Sequence, residues 1–149
     1  ESVTQAFLTS EPYFMELENV PVESKLISDA GYDPYNVVLY VTKDYLAENE
    51  ATVKAFTTAF IEGWNLYKDS YEEINKLVQK DNPDIELASL KFEAEAQEQF
   101  VYGMDAAENG VGFMTEQRWA TLIEQLHDLE LLDETFDAKE IFTTDYLPQ

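Results

Sequence analysis

The sequence predicts a helix-rich α/β protein with few strands, and three observations carry that prediction. Five or six segments place apolar residues at helical spacing or are bounded by helix start and stop signals. One segment, residues 36–42 (Asn-Val-Val-Leu-Tyr-Val-Thr), is β-branched, aromatic and nearly continuously apolar, as in a strand covered on both faces. Such a strand cannot satisfy its own backbone groups and needs neighbours in a sheet. The sequence therefore reads as part of an α/β sheet whose other strands lie elsewhere.

In chain order, residues 1–10 mix polar and apolar side chains and predict a short strand running into a turn at Glu11-Pro12. Pro12 suits the first turn of a short helix over 13–17, because its missing N–H costs nothing there. Val20-Pro-Val22 reads as extended, and 25–35 as a loop punctuated by Gly31 and Pro34. After the strand at 36–42 come a short helix over 43–48 and a long one that Asn49 can cap. In the long one Val53, Phe56, Phe60, Trp64 and Tyr67 recur at helical spacing. Ser70 can cap a third helix bearing Ile74, Leu77 and Val78, which Asp81-Asn-Pro-Asp84 breaks. Residues 87–102 predict another helix and 103–113 a loop. Thr115 should cap a helix in which Trp119, Leu122, Ile123, Leu126 and Leu129 form one apolar stripe. A short turn or helix around 137–141 and an extended exit complete the chain.

Composition excludes several functions. The 31 acidic residues against 9 basic ones give a net charge of −22, which leaves no basic patch for counterion release on nucleic acid. The same charge disfavours an anionic membrane surface, and no apolar run approaches the ~20 residues of a membrane-spanning helix. The aromatic share of 13% separates the chain from disordered acidic tails. With no cysteine, thiolate zinc sites and iron–sulfur clusters are out; with one histidine, His127, so are multi-histidine metal sites. No cofactor is expected. The sequence opens at Glu1 without an initiator Met or an apolar leader, which reads as a processed chain, a trimmed one or a fragment.

Three stretches carry a family resemblance. They are Phe7-Leu-Thr-Ser-Glu-Pro-Tyr13; Gly31-Tyr-Asp-Pro-Tyr-Asn-Val-Val-Leu-Tyr-Val-Thr42 with its continuation through Gly63-Trp64; and Phe113-Met-Thr-Glu-Gln-Arg-Trp119 with Leu126-His-Asp-Leu129 and the segment from Phe142 to Pro148. In this order they resemble the C-terminal half of a substrate-binding protein of an ABC importer, in the subgroup that binds thiamine-pyrimidine precursors, nitrate, sulfonates and taurine. The resemblance implies a two-lobed periplasmic-binding-protein type II fold with its ligand in the cleft between lobes. On that map residues 1–26 end the second lobe and 27–149 form the C-terminal part of the first, while the N-terminal half of the protein is absent. It further implies a small-molecule ligand, ABC permease membrane subunits as partners, and a location outside the cytoplasm, at the periplasm or cell surface, with any lipid anchor on the absent N-terminus.

Candidate binding residues follow from that placement. Glu11 ends a predicted strand just before a turn, where α/β proteins place ligand contacts; it is either a carboxylate for an amine or amidine or a solvated glutamate. Tyr32 and Tyr35 bracket Asp33-Pro34 and either stack on a flat heterocycle or cover the end of the sheet. Ser10, Tyr13 and Asn36 are candidates of the same kind. Trp64 and Trp119 lie in apolar stripes and read as core, and His127 as structural. The oxygens of Asp81-Asn-Pro-Asp-Ile-Glu86 lack the glycine and terminal glutamate of an EF-hand loop, so a helix-breaking loop accounts for them better. Two other functions compete. A pyrimidine-synthesising enzyme related to the family depends on a cysteine-rich motif and histidine, which this chain does not match. An acidic helical interaction module would need no sheet, against the evidence of residues 36–42.

Overall fold

The computed structural model describes residues 2–148; Glu1 and Gln149, the ends of the first and last predicted segments, lie outside them. Five α-helices form among these residues: α1 Glu11–Leu17, α2 Lys43–Asp81, α3 Leu87–Val101, α4 Asp105–Asn109 and α5 Glu116–Asp128. Two 3-10 turns, Ile27–Ala30 and Ala138–Glu140, complete the regular structure. No strand forms among the described residues. Residues 36–42 form no regular structure and bend at Val37, with Val37 90% and Tyr40 89% exposed. The segment 2–7 is likewise irregular. The reason is the one that made residues 36–42 informative: a strand is stable only against neighbours, and the described residues offer none. The α/β class is thus realised here only in its helices.

Several local signals act as read. Pro12 sits in the first turn of α1. The turn at Asp81-Asn-Pro-Asp84 ends α2 and is closed by Ile85 N–H donating to Asn82 O and Gln79 Nε2 donating to Ile85 O. Thr115 caps α5, its hydroxyl accepting from Arg118 N–H at 3.3 Å. Asp137 caps the last 3-10 turn by accepting from Lys139 N–H.

The three predicted helices between 43 and 81 are instead one helix of 39 residues. Thr42 caps it, accepting from Tyr45 N–H at 3.1 Å. Asn49 does not start a new helix; its amide folds back and donates to Tyr45 O, the carbonyl one turn earlier. A side chain able to cap need not do so when no breaker precedes it. The 103–113 loop also contains α4, and Gly112, at φ +86°, takes a left-handed conformation that favours glycine.

Two compact units share these elements. The first joins the residues up to Lys25 to Gly63–Met104; the second joins Leu26–Glu62 to the residues from Asp105 onward. Helix α2 contributes to both. The first unit buries Leu90, Ala94 and Asn75, whose Oδ1 accepts from Tyr67 Oη at 2.9 Å. Tyr13 packs on Phe92 in the same unit, and Tyr102 donates to Trp64 O at 2.7 Å. The second unit buries Ile61, Ile123 and Ala138.

Two stability tests follow. A Cβ on Gly63 meets nothing within 4 Å, so Gly63→Ala should stabilise by up to about 1 kcal/mol through helix propensity alone. A Cβ on Gly103 meets Gln99 O in a clash, so Gly103→Ala should destabilise. Urea unfolding measures both, and equal effects would refute the reading. Burial also raises the pKa of Tyr67 and of Tyr102 above the usual 10.0, with nearby negative charge adding to it at Tyr102. A group whose pKa is raised on folding contributes stability that is present below its unfolded value and lost as pH rises through its folded one. Unfolding free energy should therefore decline above pH ~10, and less steeply in Tyr67→Phe and Tyr102→Phe.

Candidate functional site

The chain contains a single arginine, Arg118, among 31 acidic residues. It stands in the first turn of α5, with its side chain 20% exposed, and each of its three guanidinium nitrogens faces an acceptor. Nε donates to Asp33 O at 2.6 Å, and Nη2 donates to Asp33 Oδ1 at 2.8 Å and to Pro34 O at 3.4 Å. Nη1 lies 3.6 Å from Asp105 Oδ2. The plane of the group covers the Tyr35 ring, with Cζ 4.2 Å from its centroid. Only a planar fork with five donors can meet two carboxylates, two carbonyls and an aromatic face together.

Tyr35 is locked into the same cluster. Its hydroxyl donates to Asp105 Oδ2 in a very short hydrogen bond and accepts from Thr115 N–H at 2.8 Å. One ring face is under Arg118, and Trp119 lies 5.7 Å away, itself stacked on Phe142 at 6.0 Å. Trp119 is thus packed among aromatic rings, in keeping with a core role. Gln125, two turns further along α5, donates to Gly31 O at 2.8 Å. A cavity of about 210 Å³ lies beside this clasp, lined by Gly31, Asp33, Pro34, Arg118, Thr121, Leu122 and Gln125.

The six residues proposed from sequence fall into two groups. Ser10, Glu11 and Tyr13 are half-buried neighbours at the start of α1 in the first unit. Glu11 Oε2 accepts from Phe7 N–H at 2.8 Å, closing the turn ahead of the helix. Ser10 precedes α1 without a capping bond from its side chain, and Tyr13 packs edge-on against Phe14 as well as on Phe92. Tyr32, Tyr35 and Asn36 lie in the second unit, where Tyr32 and Asn36 are exposed. Sequence reasoning passed over Arg118 and Asp105. The signal was available in composition: a sole arginine in a chain this acidic has every reason to be paired. His127 lies in the last turn of α5 and is exposed to solvent, not packed as a structural residue. Among the described residues no cluster of three or more His, Cys, Asp or Glu side chains is placed to hold a metal, and no helix is long and apolar enough to cross a membrane.

Against known proteins, the family model described as NMT1/THI5 like matches residues 1–74. Residues 1–74 are similar to the NMT1/THI5-like family. The family comprises mainly substrate-binding proteins of ABC importers for nitrate, sulfonates or thiamine precursors, and also includes a pyrimidine synthase. The match covers Ser10, Glu11, Tyr13, Tyr32, Tyr35 and Asn36, and the unpaired segment 36–42. The third resembling stretch, from Phe113 onward, lies outside the NMT1/THI5-like match. No curated protein matches the chain.

The clasp gives a direct test. Arg118→Ala leaves Asp33, Asp105 and two carbonyls without their partner, and should cost about 2–3 kcal/mol. A double-mutant cycle with Asp33→Asn should show coupling above ~0.5 kcal/mol; strict additivity would show that the two side chains act independently.

Proposed function

We propose that this chain is part of an extracytoplasmic solute-binding protein of an ABC importer, which holds a small polar molecule in a cleft between two lobes and delivers it to the permease. The observation that carries the reading is the family match over residues 1–74, which includes all six candidate binding residues. In this reading residues 1–26 end one lobe and 27–149 belong to the other, with the N-terminal half of the protein completing the pocket. The chain passes from one compact unit to the other between Lys25 and Leu26, next to that boundary, although Gly63–Met104 groups with the N-terminal residues. The unpaired apolar stretch 36–42 supports a sheet completed by strands from that other half.

The favoured ligand resembles a thiamine pyrimidine precursor. A carboxylate at Glu11 suits an exocyclic amine, and tyrosine and asparagine side chains suit the face and edge of a flat ring; nitrate, sulfonate or taurine offers neither an aromatic face nor, except for taurine, an amine. The protein acts by binding and release, with lobe closure recognised by the permease, and no catalytic group is assigned. At 100-fold excess over Kd, a ligand specific for the native state stabilises it by about 2.7 kcal/mol. The intact protein should therefore show a clear melting shift with an aminopyrimidine and none with nitrate, and Glu11→Gln should weaken the shift. No shift with aminopyrimidine, nitrate, sulfonate or taurine would refute solute binding.

A further inference from the structure

Within loop 31–36, four residues are held by helix α5 and its cap Thr115. Gly31 O accepts from Gln125, Asp33 O and Oδ1 and Pro34 O accept from Arg118, and the Tyr35 hydroxyl accepts from Thr115 N–H. Gly31 itself is at φ +91°, a conformation that favours glycine, so the loop enters the clasp through a fixed turn. The two residues left out are Tyr32 and Asn36. Tyr32 is 39% exposed, and neither side chain makes a hydrogen bond to a described residue. Tyr35, by contrast, has its hydroxyl engaged as donor and acceptor and one ring face covered by the guanidinium. To reach a ligand it would have to leave Asp105, Thr115 and Arg118 together.

We infer that Arg118 is a positioning residue: helix α5 holds loop 31–35 rigid so that Tyr32 and Asn36, and not Tyr35, meet the ligand proposed above. The inference rests on the solute-binding reading and assigns roles within it. Tyr32 offers an aromatic face with only two rotatable side-chain bonds to freeze, and Asn36 offers an amide that both donates and accepts along a heterocycle edge. Fixing the backbone between them before the ligand arrives removes ordering cost from the binding step, which is what preorganisation contributes to affinity.

The test uses the intact protein and 4-amino-5-hydroxymethyl-2-methylpyrimidine, with Kd and association rate measured at 10 °C, well below melting. Arg118→Ala should raise Kd by about 10-fold and slow association, since releasing two side chains and their loop adds about 1–1.5 kcal/mol of ordering to each binding event. Arg118→Lys should recover little of this, because an ammonium cannot hold Asp33, Pro34 and Asp105 at once. Tyr32→Ala should raise Kd at least as much without lowering the melting temperature. Lys139→Ala, which breaks the exposed pair with Glu116 on the same helix, should change nothing. Hydrogen exchange on the unliganded protein should show faster exchange across 31–36 in Arg118→Ala. An Arg118→Ala protein that melts lower but keeps the wild-type Kd overturns the positioning role alone, and an unchanged Kd in Tyr32→Ala overturns the ligand assignment alone. Binding of nitrate or taurine without the pyrimidine overturns the heterocycle. Failure of the wild-type protein to bind any of the three overturns the solute-binding reading and this inference together.

Discussion

The Arg118 guanidinium is the constraint on which the second unit depends. A chain with 31 acidic residues and 9 basic ones pays a self-repulsion cost wherever carboxylates gather. Asp33 and Asp105, 72 residues apart in sequence, converge on one place, and only a cation between them makes that convergence favourable. The three side chains are 20–37% exposed, sheltered enough that the interaction exceeds that of a rim pair and wet enough that desolvation does not cancel it. Because two of the acceptors are backbone carbonyls, the ion pair also fixes the path of the chain through Pro34. The lysine pairs elsewhere, such as Lys76 with Glu73 within α2, Lys91 with Glu72 between α3 and α2, and Lys139 with Glu116, join side chains that are all more than half exposed and so hold far less.

Around that clasp, local chemistry and long-range chemistry agree. Thr115 caps α5 with its hydroxyl while its own N–H donates to Tyr35, so one residue both starts the helix and fastens the loop. Asp105, the first residue of α4, brings its carboxylate to the same tyrosine. The helix start, the short helix and the loop therefore hold one another, although each signal taken alone is worth only about 1 kcal/mol. Such mutual support is what lets a loop stay fixed in a unit whose fully buried core is small.

What was legible in the sequence divides along the same line. Caps and breakers are local, and Pro12, Thr115 and Asn82-Pro83 sit at the element ends they predict. The subdivision of α2 failed because capping potential at Asn49 and Ser70 is a permission, not an instruction, and helix continues where nothing interrupts it. Six candidate residues could be named by type and position, but their partners could not. That Tyr35 would be consumed by Asp105 and Thr115 depends on contacts 70 and 80 residues away, for which spacing gives no cue. Arg118 was passed over as well, although its rarity in so acidic a chain was a usable signal.

The segment 36–42 shows the limit from the other side. Its sequence is the most strand-like in the chain, yet it forms no strand, because a strand's hydrogen bonds are made with another strand and not within itself. Val37 and Tyr40 are almost wholly exposed while Val38, Leu39 and Val41 are about half so, and a face like this is costly to leave in water. The segment carries no charge of its own, so the acidity of the rest does not protect it. It is flanked on one side by the loop that Arg118 fixes and on the other by Thr42, which caps α2. The stretch is thus held at one end by the clasp on the preceding loop and at the other by its own last residue, Thr42, through the cap. For an apolar, uncharged segment anchored at both ends, pairing with a neighbouring strand would gain its hydrogen bonds and cover its side chains, and the anchored ends leave less chain entropy to lose.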